Sequence, residues 1–555
     1  MSAALFTLAA VQGETAIGEK VGAVVLALLA AAVVLGRAPL LGRRLGALLM
    51  LVTIVLSPVL LAIDIRNTSV ITHLRHHPAL AAAGIVAGVL VLAALALLMR
   101  RWRSAFPLAA VLTLPFRVPI SVGGTTANLL IPLYVVIAAG ALAHLVPCLL
   151  GHDATSSGEP ASDGDRARPA GEGSSTALAA ARTGGRAPRW VAALASRGTL
   201  EWLLMTYVVL YAIQAAYSPD FSKGFQNLVF FYVPFALLFK MLIEVRWSTV
   251  LLKRCFGVVL ALALLFVAIG LVEFATKSLL LNSSLVAKDV YGNYFRVNSL
   301  FYDPNIYGRF LALVMVLLAT AVLFAARSRR DLLLLALALA WLWVGLVTSI
   351  SQSSMVALLF GLAVLAAWRW DARHVSATAL VVLVAAAVFL LAAPSSLHFG
   401  VKGSGGSLNN ASSGRVKLVK GGLKLFAARP IAGFGSGSFA PEYRSREVST
   451  AAAATSASHT TPITIAAEQG VLGLLVYLAL LLASFLNLCL GAGRSPPRIA
   501  IAACFAALVL HTLAYADFLE DPTSWALLGI GVALAATARR ELPASERDDA
   551  ELAAA

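Results

Sequence analysis

The stretch Ser458-His459-Thr460-Thr461-Pro462 stands where a polar loop gives way to an apolar run. Thr461 suits the N-cap of a helix and Pro462 its first position. His459 then lies just outside a helix start, where unpaired N–H groups and partial positive charge gather. Such an end holds anions. It also disfavours imidazolium, leaving His459 neutral and able to accept a proton. Glu468 follows about two turns into the helix, at roughly 1.5 Å per residue. A carboxylate there costs free energy unless paired or wetted, so it is a functional candidate. Plainer readings stay open on residue chemistry alone: His459 as loop polarity, Glu468 as partner of a structural arginine, Gly470 and Gly473 as packing positions.

The loop before this helix start is basic. Residues 394–462 hold Lys402, Arg415, Lys417, Lys420, Lys424, Arg429, Arg444 and Arg446 against only Glu442 and Glu447. Such a surface suits an anionic ligand such as a phosphate-bearing lipid, or contact with anionic headgroups. Val416, Val419, Leu423 and Phe426 recur at helical spacing beside Lys417, Lys420 and Lys424. This predicts a basic amphipathic helix at a membrane surface, weakened at Gly421 and Gly422. The glycines of Gly433-Phe434-Gly435-Ser436-Gly437 permit close backbone approach to a ligand, or form an ordinary mobile loop.

These residues need elements to hold them. The chain has 555 residues, 60% hydrophobic and 13% charged, far from the balance of a soluble domain. Apolar runs of membrane-spanning length recur throughout without strand alternation. The fold class expected is an all-α polytopic membrane protein of about 12–15 transmembrane helices with a large extracytoplasmic loop. Spans are read near 17–36, 46–64, 79–99, 105–119, 128–150, 199–217, 226–243, 251–273, 305–326, 332–349, 354–368, 376–393, 463–490, 499–516 and 523–538. Basic clusters at Arg37/Arg43/Arg44, Arg100/Arg101/Arg103, Arg327/Arg329/Arg330, Arg369/Arg373, Arg494/Arg498 and Arg539/Arg540 then fall on one side, the cytoplasm. The C-terminus is expected there, with the site on the opposite, extracytoplasmic face of the inner (plasma) membrane. The net charge of +16 reports these loops, and no nucleic-acid partner is expected.

The expected organisation is N-terminal transmembrane helices over 1–150, a flexible cytoplasmic linker over 151–198 and a transmembrane core over 199–393 with an outer loop at 274–304. The large outer loop 394–462, C-terminal helices 463–540 and a disordered tail 541–555 follow. No basic leader region opens the chain, so no cleavable signal peptide is expected. Cys148, Cys255, Cys489 and Cys504 lie in apolar spans as buried small hydrophobes. His73, His76 and His77 lack acidic or Cys partners, so no metal site is expected.

The segment from His459 through Glu468 and Gly470 to Gly473 and Leu474 resembles the signature of the O-antigen ligase and polymerase family: a His, a Glu nine residues later, then glycines. Arg296-Val-Asn-Ser-Leu-Phe-Tyr-Asp303-Pro304-Asn305 resembles its arginine followed by a Pro-Asn helix entry. Gly414-Arg415 with Arg429-Pro430-Ile431-Ala432-Gly433-Phe434-Gly435 resembles its outer-loop arginine and Pro–Gly segment. The likeness covers about 200–535. It departs from the family at Ser349–Ser354, where a Ser-Arg pair is common, and does not extend over the first 200 residues.

The resemblance implies glycan transfer from a polyprenyl-pyrophosphate-linked donor to a glycan or glycolipid acceptor, in lipopolysaccharide or exopolysaccharide synthesis for the cell envelope. No cofactor or metal ion is implied. Such a reaction needs cations on the leaving pyrophosphate and a base near the acceptor hydroxyl. His459 is the expected base or acceptor-orienting group, with Glu468 also in the catalytic set. Arg415 and Arg296 are expected as pyrophosphate clamps, because guanidinium matches phosphate in bidentate fashion. Lys420 and Arg429 are supports, Asp303 a helix cap, Asn305 an orienting group, and Gly433 and Gly435 binding positions. The rival is a transporter or flippase for lipid-linked sugars, which would show charged or broken mid-membrane helices in matched halves.

Overall fold

The computed structural model describes residues 2–36, 48, 50–53, 55, 78–122, 125–150, 189–281, 295–325, 328–370, 415–446, 457–458 and 460–540. Helices α1 (Ser2–Leu35), α2 (Pro78–Arg101) and the short α3 (Ala105–Thr113) lead into an antiparallel hairpin, β1 (Val118–Val122) and β2 (Thr125–Leu129), and then α4 (Ile131–Leu150). After α5 (Arg189–Leu194) and α6 (Arg197–Ala215), α7 (Phe221–Asn227) runs through a π turn at Leu228–Tyr232 into α8 (Val233–Glu244). Next come α9 (Thr249–Thr276), α10 (Pro304–Phe324), α11 (Arg329–Ser349) and α12 (Gln352–Arg369). Two shorter helices, α13 (Arg415–Ala428) and α14 (Phe439–Arg446), precede α15 (Thr461–Cys489), α16 (Pro496–Ala514) and α17 (Pro522–Arg540).

Among the described residues, nine helical segments are long and apolar enough to cross a membrane. Ile131–His144 and Pro522–Ala538 are apolar but shorter. The protein is a polytopic membrane protein, and among the described residues its regular structure is helical apart from one hairpin, whose register pairs Val118 with Leu129. In the bundle α12 packs on α10 and α16, α8 on α17, and α6 between α1 and α15. Trp525 anchors the α8–α17 seam, edge-on to Phe235 and Phe239. Leu333, Leu337, Leu475 and Leu478 point outward, the composition a lipid-facing surface requires.

The antiparallel order of α10 to α12 and α15 to α17 divides the bundle into two ends. Arg329, Arg330, Arg369 and Arg498 belong to one of them. Arg498 caps α15 there, its guanidinium donating to the Gly491 and Leu490 carbonyls at 2.9 and 2.6 Å. Residues 295–303, the start of α15 and the 515–521 turn belong to the other.

Several expectations need correction. The span at 105–119 is only the nine-residue α3, too short to cross, with Pro115 stopping it before the hairpin. Within the linker read at 151–198, residues 189–194 and 197 onward are helical, and the Ser196 side chain accepts from the Thr199 N–H. Residues 151–188, most of the span at 46–64, the span at 376–393, His73, His76, His77 and the tail 541–555 lie outside the described residues. The N-cap of α15 is Thr460 rather than Thr461, whose hydroxyl instead donates to the Thr512 carbonyl at 3.2 Å. Finally, α13 buries Leu418, Gly421, Gly422 and Leu425, while Leu423 is half exposed. A Cβ at Gly421 would meet the Tyr443 ring and one at Gly422 the Ile463 side chain, so close packing decides which face turns inward.

Candidate functional site

At one end of the bundle, the entry to α10 is built around Arg296. Its Nε donates to the Ser349 carbonyl at 2.9 Å and its Nη2 to Asn305 Oδ1 at 3.0 Å. Asp303 caps α10, accepting from the Asn305 N–H at 2.6 Å, and Pro304 fills the first turn. Ser351 Oγ also donates to Asn305 Oδ1 and lies 2.7 Å from Ser354 Oγ. Ser353 and Ser354 are each 3.2 Å from His511 Nε2 on α16. Arg296 and Asn305 are therefore brought together, linked to a buried histidine that the sequence reading did not single out. The serine-rich turn comes this close because Gly308 lacks a Cβ; one built there would meet Ser351 and Ser354 at 2.9 Å. The preceding loop is folded by buried Glu273, which accepts from the Ser299 N–H at 2.7 Å and the Leu280 N–H at 2.9 Å.

The second assembly joins the outer-loop glycines to α15. That helix breaks at Gly470, where φ is 66° and ψ is −161°. The break frees backbone groups that residues 430–439 take up. Val471 donates to the Pro430 carbonyl at 2.7 Å, Gly435 to the Glu468 carbonyl at 2.7 Å, and Phe434 to the Ala467 carbonyl at 3.2 Å. Gln214 donates to the Ala432 and Gln469 carbonyls, and Tyr217 to Ala432. Glu468 closes the arrangement: its carboxylate accepts from the Gly437 N–H at 2.9 Å and the Phe439 N–H at 3.0 Å. Gly433, Gly435 and Gly437 all have positive φ. A Cβ at Gly433 would fall 2.2 Å from the Glu468 carbonyl oxygen, and one at Gly470 2.3 Å from that of Ile431. The close approach these glycines permit is thus to another stretch of the same chain.

Outside this knot, Lys420 and Arg429 are exposed. The guanidinium of Arg429 lies 4.7 Å from the Phe434 ring centre and that of Arg446 4.6 Å. Arg415 is the first residue of α13. His459 lies outside the described residues. Its neighbours are tied down: the Ser458 N–H donates to Thr464 Oγ1 at 3.0 Å, and Thr461 reaches Thr512, next to His511.

Two cavities share a wall residue at this end. One, of about 280 Å³, is polar, and its walls include Tyr207, Tyr211, Lys223, Asn227, Glu468 and Glu520. The other, of about 650 Å³, is an apolar groove along α10, with α3 and the turn after it, α9, α16 and α17 among its other walls. Arg117 lines both. Arg309 and Asp521, a buried ion pair, line the groove. Burial would raise the Asp521 carboxyl, but Arg309 and then Arg117 outweigh it and hold it below its ordinary range. Glu520 is pushed well above the carboxylate range, first by burial and then by the Asp517 carboxylate beside it. Asp517 itself has φ of 75°, a strained backbone for a non-glycine residue. Among the described residues, no group of three or more His, Cys, Asp or Glu is placed to hold a metal ion.

The sequence reading missed Arg117, Lys223, Arg309, His511 and the 517–521 carboxylates. Arg309 was signalled, as an arginine within an apolar run. Arg117 was hidden by the reading of 105–119 as a span.

The O-antigen ligase family model matches residues 337–478, from α11 into the first half of α15, so this stretch is similar to that family. No curated protein and no solved structure matches the chain. The family implies glycosyltransferase-type chemistry between a lipid-linked glycan and a glycan acceptor.

Proposed function

We propose that this chain transfers a glycan from a polyprenyl-pyrophosphate donor to an acceptor hydroxyl on the extracytoplasmic face of the plasma membrane. The observation that carries this reading is an apolar groove and a polar cavity that share one arginine in their walls. A donor of this kind is amphiphilic in the same order: a long hydrocarbon, a pyrophosphate, then sugars. The groove takes the hydrocarbon. The pyrophosphate lies at the arginine they share, and the sugar enters the cavity.

In the transfer, the acceptor oxygen attacks the sugar carbon that bears the pyrophosphate. A carbon–oxygen bond forms to the acceptor as the bond to the pyrophosphate oxygen breaks. The lipid pyrophosphate leaves with the electron pair, and the acceptor's proton passes to His459. Arg296 and Arg415 stabilise charge on the leaving group, with Lys420 and Arg429 as supports. Arg296 is preorganised for such a task by Ser349 and Asn305. Asp303 holds Asn305 in place by capping α10. Glu468 acts as a positioning residue through the Gly433–Gly437 segment, and Gly433 and Gly435 shape the site by allowing that docking.

The test is transfer by purified protein in lipid vesicles, using a polyprenyl-pyrophosphate glycan. His459→Ala and Arg415→Ala should abolish product while the protein remains in the membrane. Transfer should also survive EDTA. Near-normal product from either variant contradicts the assigned roles, and loss of activity on chelation contradicts the metal-independent chemistry.

A further inference from the structure

The family match begins at residue 337, and Arg117 lies far upstream of it, beside the hairpin. Its backbone is fixed on both sides. Leu114 donates to the Ala110 carbonyl and Phe116 to that of Thr113, turning the chain out of α3. Pro115 is buried, and the Phe116 ring stands edge-on to Phe266 of α9, 5.7 Å away. Val118, the next residue, enters the hairpin ladder opposite Leu129. The turn therefore fixes where the half-buried Arg117 sits.

That place is in the wall of both cavities. Among the described residues Arg117 makes no ion pair, whereas Arg309, the other arginine of the groove, is bonded to Asp521. Two guanidinium groups and one carboxylate leave one positive charge over at the top of an apolar groove. A cation in such surroundings costs free energy unless an anion joins it. In the polar cavity Lys223 is the other cationic lining residue, and Asp517 in the same wall offsets one charge, whereas burial and the Asp517 carboxylate keep Glu520 protonated and neutral, so one positive charge is still left over. The excess of positive charge lies where a chain in the groove would carry its head group.

We propose that Arg117 is a phosphate-binding residue for the lipid-linked donor, so that the turn after α3 completes the site from outside the matched stretch. The inference rests on the donor class proposed above. Guanidinium recognises phosphate oxygens by paired hydrogen bonds, and the fixed turn means little ordering is needed on binding.

The experiment measures equilibrium binding of polyprenyl pyrophosphate and of the uncharged polyprenol to full-length protein in nanodiscs. Wild type should bind the pyrophosphate more tightly. Arg117→Ala should weaken pyrophosphate binding by about ten- to a hundredfold, the worth of one hydrogen bond to a charged group, and leave polyprenol binding unchanged. Arg117→Lys should recover part of the loss, and Arg330→Ala, at the opposite end, should change nothing. Should Arg117→Ala not accumulate, Arg117→Gln is read the same way. Unchanged pyrophosphate affinity overturns the inference, and an equal loss for both lipids shows a structural role and overturns it too. A wild-type protein that does not distinguish the two lipids overturns the donor class itself.

Discussion

Removing the Glu468 carboxylate should loosen one short stretch of chain far more than the bundle. The group is 6% exposed and accepts two backbone N–H donors, from Gly437 and Phe439, at 2.9 and 3.0 Å. A hydrogen bond to a charged group contributes about 1.5–3 kcal/mol, so Glu468→Ala costs about 3–6 kcal/mol. The cost falls on residues 430–446, because the contacts of Phe434 and Gly435 to α15 are backbone bonds that the substitution leaves in place. At about 1.4 kcal/mol per factor of ten, protection of these two amides should drop by about 10²–10⁴. Hydrogen exchange read by mass spectrometry on a peptide covering 430–446 measures this directly. Glu468→Gln should fall between, since its amide oxygen serves one N–H while its NH₂ opposes the other. Unchanged protection in Glu468→Ala refutes the anchoring role. Transfer lost while protection stays intact would mean that Glu468 acts on the substrate itself.

Two further outcomes follow from the geometry. Gly433→Ala should prevent residues 430–437 from docking on α15, because the added carbon would fall 2.2 Å from the Glu468 carbonyl oxygen at a positive φ; rapid proteolysis in the 430–446 segment of an otherwise helical protein checks it, and wild-type resistance contradicts it. Glu520 is pushed above its ordinary value of 4.5, so the folded state holds that proton after the unfolded chain has lost it, and stability should fall as pH rises from about 4.5 toward the folded value. Glu520→Gln should flatten that fall in thermal unfolding across pH; an unchanged slope contradicts it.

Much of the architecture was legible because the bilayer leaves a chain few options: runs such as 251–273, 305–326 and 332–349 are predominantly apolar over a membrane-spanning length and became α9, α10 and α11. The entry at Asp303-Pro304-Asn305 was legible for a local reason, since cap, proline and orienting amide lie within three residues. What escaped depends on contacts distant in sequence. Glu468 reads as a charge in a helix until Gly437 and Phe439 arrive from the loop, and Gly470 reads as a packing glycine until Ile431 crosses it. The inward face of α13 was misjudged because side-chain hydropathy scores Gly421 and Gly422 as weak, while Tyr443 and Ile463 need their bareness. Arg117 sits in a stretch whose apolarity suits a span, and only the length of α3 shows that it is not one.

The central claim is that groove and cavity together hold one lipid-linked donor at the end of the bundle where α15 begins. The most direct measurement is a cryo-electron microscopy map of the protein in nanodiscs with bound polyprenyl pyrophosphate. Hydrocarbon density along α10, with the pyrophosphate at Arg117 and directed toward Thr461 and Glu468, is the predicted result. A pyrophosphate at the opposite end of the bundle, near Arg329 and Arg498, would contradict the account.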